Sequence, residues 1–141
     1  MKQSNMLHKN IERISLNCAF LKCGILKTIV DITEKTLEDA ILAFTMGEHE
    51  DALTILNRLS SENSNSVDVW RALAEVQLSV ENLDEAESAC KKAIDLQPED
   101  LTSMVSLARI LVKKGDKDGA ESASAKARVL GWKEELAEEM D

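Results

Sequence analysis

A register of 34 residues runs through this chain and leaves few folds open to it. Ala40, Ala74 and Ala108 are 34 apart, and so are Ala52, Ala86 and Ala120. Apolar columns follow the same step: Leu42, Val76 and Ile110; Phe44, Leu78 and Val112; Ile55, Ala89 and Ala123; Leu59, Ala93 and Ala127. Basic residues recur at Arg58, Lys92 and Lys126, and acidic ones at Glu50, Asp84 and Asp118. A fixed period of this size marks a stacked array, in which each unit buries on its neighbours an apolar face it cannot bury alone.

Each unit reads as helix, turn, helix. In the middle unit Val69, Leu73, Val76 and Val80 recur at helical spacing. A break follows at Glu81-Asn82-Leu83, and Asn82 with Glu85 three residues on fits an N-cap with a capping box. Ala86, Ala89, Cys90, Ala93 and Ile94 form the inner stripe of a second helix, which must stop before Pro98. In the third unit Gly115 ends the first helix and Asp116 caps the next, and Gly47 stands at the same place in the first unit. Small residues in the alanine columns let two antiparallel helices approach closely. Composition agrees: the chain has five glycines, one proline and only 3% aromatic residues, too few turn formers for a sandwich or barrel.

These residues resemble the tetratricopeptide repeat family, whose pattern is W-x2-L-G-x2-Y, then A-x3-F, then P. The middle unit offers Trp70, Leu73, Ala74, Ala86, Ala93 and Pro98, with Gln77 at the aromatic place and Cys90 at the Phe place. The third keeps Leu107, Ala108, Ala120 and Ala127, with Met104 where Trp70 stands. The first is most divergent, with Thr36 and Asp39 at the Trp and Leu places. The resemblance implies an all-α, right-handed solenoid of three helix-turn-helix repeats, at 33–66, 67–100 and 101–134. An N-terminal segment, 1–32, and an acidic cap, 135–141, complete the organisation.

In the N-terminal segment Ile11, Ile14, Cys18, Leu21, Ile25, Ile29 and Ile32 follow at spacings of three and four, the pattern of an amphipathic helix. Residues 1–30 carry five basic side chains against Glu12, a net of +4, so the rest holds -13 of the total of -9. Such a helix can cover the first repeat, pair with a second copy to make a homo-dimer, or dock on a membrane surface. Lys22, Lys27 and Asp31 interrupt it too often for a spanning helix. Gly131 is expected to end the last repeat helix and Trp132 to close the end of the array.

No signal of catalysis stands out. His8 and His49 have no second ligand at metal spacing and are expected to face solvent. Asp116-Lys117-Asp118-Gly119 is out of register for a calcium loop, since Lys114 and Ala125 would fill its first and last ligand places. No Walker loop, dinucleotide fingerprint or nucleophile elbow is present. An acidic body excludes nucleic acid as a partner. Three cysteines without a C-x-x-C pair indicate a reducing setting, the cytoplasm. No cofactor, metal or enzyme activity is expected.

The expected function is a scaffold or adaptor that binds another protein. In the family, the first helix of each unit lines a concave groove. Carried onto this chain, the resemblance gives Glu34, Leu37, Ile41 and Thr45 from the first unit. It gives Arg71, Glu75 and Leu78 from the second, and Val105, Arg109 and Lys113 from the third. Such a groove, apolar at one end and of mixed charge at the other, suits a peptide or an amphipathic helix. Some members clamp chaperone carboxyl termini with asparagines on these helices; Ile41 and Ala72 occupy those places, which argues against that role.

Overall fold

The computed structural model describes residues 35–140, and Thr36–Asp141 forms one compact unit. Six helices follow in order: α1 Leu37–Thr45, α2 His49–Glu62, α3 Val67–Ser79, α4 Leu83–Leu96, α5 Leu101–Lys114 and α6 Lys117–Met140. No strand occurs among the described residues. The starts of α2, α4 and α6 are 34 apart, as are those of α3 and α5. The expected N-terminal helix and Glu34 lie outside the described residues.

Contacts run between neighbours: α1 on α2, α3 on α4 and α5 on α6 within pairs, α2 on α3 and α4 on α5 between them. First helices also touch directly, α1 on α3 and α3 on α5. The core is the alanine register filled in by aliphatics: Ala40, Ala52, Leu56, Ala86, Ala93 and Ile110 are wholly buried. A column value depends on what stacks over it. Val76 and Ile110 are 1% and 0% exposed, yet Leu42 in the same column is 59% exposed on α1, the first described helix. Trp70 ties the first two pairs, its indole N–H donating to the Ser64 carbonyl at 2.8 Å.

The repeat extends to the backbone of the turns. Gly47, Glu81 and Gly115, again 34 apart, all have positive φ, at 85°, 62° and 81°. In each turn the next residue's N–H reaches five residues back: Glu48 to Ala43, Asn82 to Gln77, Asp116 to Leu111, at 2.9–3.0 Å. Bonds that span three residues run from Gly47 to Phe44, Glu81 to Leu78 and Gly115 to Val112. This paired closure satisfies carbonyls that the end of a helix orphans.

Two local expectations are corrected. Asn82 makes no capping hydrogen bond to α4; its amide donates to the Gln77 side chain at 3.0 Å. Its backbone, at φ -79° and ψ 74°, departs from the extended geometry of a capping residue. A capping box forms instead at α1, where Asp39 accepts the Thr36 N–H at 2.8 Å. Nor does Gly131 end a helix: α6 runs through it as one element of 24 residues. A glycine stops a helix by turning left-handed, as Gly47 and Gly115 do, and Gly131 is not among the positive-φ residues. Trp132 consequently rides on a continuous helix and is 62% exposed, so it does not close the array.

Candidate protein-binding groove

The direct contacts among α1, α3 and α5 make these first helices the inner layer of the stack. Between α1 and α3 they open a cleft of about 390 Å³, reaching Thr102 at the start of α5. Its walls are mainly apolar, with Leu37, Ile41 and Phe44 on one side and Ala72 and Val76 on the other. Phe44 is half-buried against the core, and its ring centroid lies 5.5 Å from that of His49. His49 is therefore half-buried beside an aromatic ring rather than free in solvent, as its sequence position had implied.

The charged residues of this face are mutually satisfied. Arg71 donates to Asp68 one turn earlier and to Asp100, directly before the third repeat, at 3.2 Å. Asp100 is buried and also caps α5, accepting the Ser103 N–H at 3.1 Å. Glu75 accepts from Ser106 and from Arg109, the latter at 3.3 Å. Lys113 reaches Glu81 at 3.7 Å across an exposed rim. These pairs bind the second repeat to the third. With these polar groups hydrogen-bonded to each other, the walls of the cleft are left mainly apolar.

Of the residues expected in the groove, Leu37, Ile41, Arg71 and Glu75 line the cleft together. Val105 is 43% exposed on α5. Arg109 and Lys113 follow on the same helix, and Thr45 ends α1 with its hydroxyl donating to the Leu42 carbonyl. Leu78 is not a surface residue. It is 4% exposed in the core, in the column of Phe44 and Val112. The 34-residue step from Thr45 to Lys113 passes through Ser79, which is exposed. Sequence reasoning missed Asp68, Asp100 and Ser106, and met Ala72 only at the place of a clamp asparagine. Asp100 was detectable as a capping type directly before the third unit; nothing in the pattern marks Ser106.

Elsewhere the chemistry is quiet. Cys90 is buried, and burial above all, followed by nearby carboxylates, pushes its thiol up to about 12, so it is a packing residue. Lys114 bridges Asp84 and Glu87 at 2.6 Å each, fastening α5 to α4. Hydrogen bonds to these carboxylates raise the Lys114 pKa, while Lys114 first and Lys91 second lower that of Glu87. Among the described residues no cluster of His, Cys, Asp and Glu has metal-site geometry. No described helix is long and apolar enough to cross a membrane.

The architecture has known counterparts. The family model of the tetratricopeptide repeat matches residues 37–100 and 81–133. The chain belongs to the tetratricopeptide repeat family. Among solved structures it is similar to MamA, at 24% identity over 70% of this chain and 57% of that one, with a TM-score of 0.67. It is similar also to the MamA 41-end structure from Desulfovibrio magneticus RS-1, at 21% identity over 68% and 54% and a TM-score of 0.66. A chain of the CopN–Scc3 complex aligns at 17% identity over 67% and 55%, with a TM-score of 0.64. At these identities the likeness is one of fold, and the chain spans little more than half the length of each. No curated protein matches the sequence.

Proposed function

We propose that this chain is a protein-binding adaptor whose inner face holds an amphipathic helix or an extended peptide. The observation that carries the reading is the cleft between α1 and α3, apolar on its walls and bordered by charges already paired with one another. A partner gains free energy there chiefly by burying aliphatic groups, about 1.5–3 kcal/mol for each large side chain fully covered. Ile41 at 47% exposure and Val105 at 43% are the open anchors, one at each end of the face. Glu75 and the helix-capping Asp100 tie α3 to α5, so little ordering cost falls on that part of the face when a partner binds. The presence of a structural neighbour in a complex, CopN–Scc3, is in keeping with a protein partner. A reducing compartment, the cytoplasm, fits the buried thiol of Cys90.

The test is affinity capture from the native cell extract with the full chain and three variants. Ile41→Glu and Val105→Glu place a charge on exposed positions of the face and should each remove a partner that the wild type retains. Glu85→Lys, exposed on α4, should retain it. A partner lost with Glu85→Lys but kept by both groove variants would move the binding surface to the other side of the stack.

A further inference from the structure

Met104 stands in the column of Trp70, and Pro98 in that of Ser64. In the second repeat the Trp70 indole fills its place and its N–H donates to the Ser64 carbonyl. Where the third repeat has the slimmer methionine, a cleft of about 400 Å³ opens, in which Pro98 and Met104 meet Ala125, Val129 and Leu130 of α6. The Pro98 carbonyl holds the place of the indole's acceptor. The chain's second tryptophan, Trp132, lies on the same helix but does not line the cleft. It stands in a stripe with Val129, Leu136 and Met140, at helical spacings of three and four, and each of these is at least half exposed. The charges beside the stripe are ordered along the helix. Lys126 and Arg128 come before Trp132, and Glu134, Glu135, Glu138 and Glu139 after it, all of them exposed. Lys133 is held by Glu99 at 2.8 Å.

We infer that Trp132 fills this cleft in a second copy of the chain, each copy serving the other across a two-fold axis with the α6 helices antiparallel. The indole supplies the ring that Met104 lacks, and the Pro98 carbonyl supplies an acceptor for its N–H. A cleft and an exposed anchor on one element make the surface self-complementary, as an isologous interface requires. Buried tryptophans are among the side chains that carry most of an interface's binding energy. Charge order sets the direction. Antiparallel, the acidic end of each helix lies along the basic stretch of the other; parallel, glutamates would face glutamates. Arg128 and Glu135 are seven apart, so they share one flank of the stripe. They are too distant to pair within their own helix, where partners stand three or four apart. In an antiparallel pair each flank meets its own counterpart, so Arg128 of one copy faces Glu135 of the other, twice. The inner face, built from the first helix of each pair, takes no part.

Sedimentation velocity of the full chain over a concentration series at low salt decides it. The wild type should form a reversible dimer, and Trp132→Ala should weaken association by about tenfold or more. Arg128→Glu and Glu135→Arg should each weaken it as well. Joined in one chain they should restore it, because the ion pair re-forms with its signs exchanged. All three positions are exposed, and circular dichroism melts of the dilute variants, matching the wild type, check that the fold is kept. A wild type that stays monomeric at every concentration, or a dimer indifferent to Trp132→Ala, would overturn the inference. So would single charge variants without effect, or a double variant no better than its parents.

Discussion

Glu81 occupies the middle one of three left-handed turn positions, and its two counterparts are glycines. A side chain in that conformation costs about 1–2 kcal/mol, partly offset in any comparison by the greater freedom glycine has when unfolded. Its exposed pairing with Lys113 at 3.7 Å contributes little. Glu81→Gly should therefore stabilise the chain by about 0.5 kcal/mol, and Gly115→Ala should destabilise it by about 1 kcal/mol or more. Thermal melts of the two variants, shifted in opposite directions, would check this. Glu87 offers a second test at the same scale. Because Lys114 and Lys91 lower its folded pKa below the ordinary 4.5, its contribution is present above that value and lost as pH falls through the folded one. Glu87→Gln should cost up to about 1 kcal/mol near neutrality, a modest figure for an ion pair still reached by solvent. The gap between the variant and the wild type should be smaller at pH 3 than near neutrality. Denaturant unfolding at the two pH values measures the difference.

Among the elements, α6 is the one whose form departs most from expectation, and its length rests on Gly131. A Cβ at Gly131 would meet nothing within 4 Å, and glycine inside a helix is about 0.5–1 kcal/mol worse than alanine. Gly131→Ala should stabilise the protein by that amount. A loss of stability in the melt would mean that the residue ends the helix after all. The pairing of α3 with α4 is tested at Ala86, which is wholly buried. Ala86→Leu should overpack the contact and cost about 1–3 kcal/mol; an unchanged melt would count against the register. These elements were legible where the 34-residue columns are dense, since alanines at fixed steps both identify the helices and set how closely they pack. The columns said less about ends. Gly47 and Gly115 take the left-handed form because helix-closing hydrogen bonds await them, whereas Gly131 has the same side chain and no such closure. Composition alone does not separate the cases.

For the whole molecule, direct contact among α1, α3 and α5 turns three separate helices into one surface. The family register placed Leu37, Ile41, Arg71 and Glu75 on it, because a periodic chain repeats outward positions as faithfully as inward ones. It did not reveal that Arg71 bonds to Asp100 and Glu75 to Arg109, since pairing across repeats depends on which side chains meet in space. Nor did it keep Leu78 out of the groove, one residue off the step that leads to Ser79. The central claim is that this inner face receives the partner. Hydrogen exchange on the full chain, with and without a partner captured by the wild type but not by Ile41→Glu, tests it directly. Slowed exchange in peptides from 37–45, 67–79 and 101–114, with α2 and α4 unchanged, is the predicted result. Protection confined to α2 and α4, with the three first helices unaffected, would contradict it.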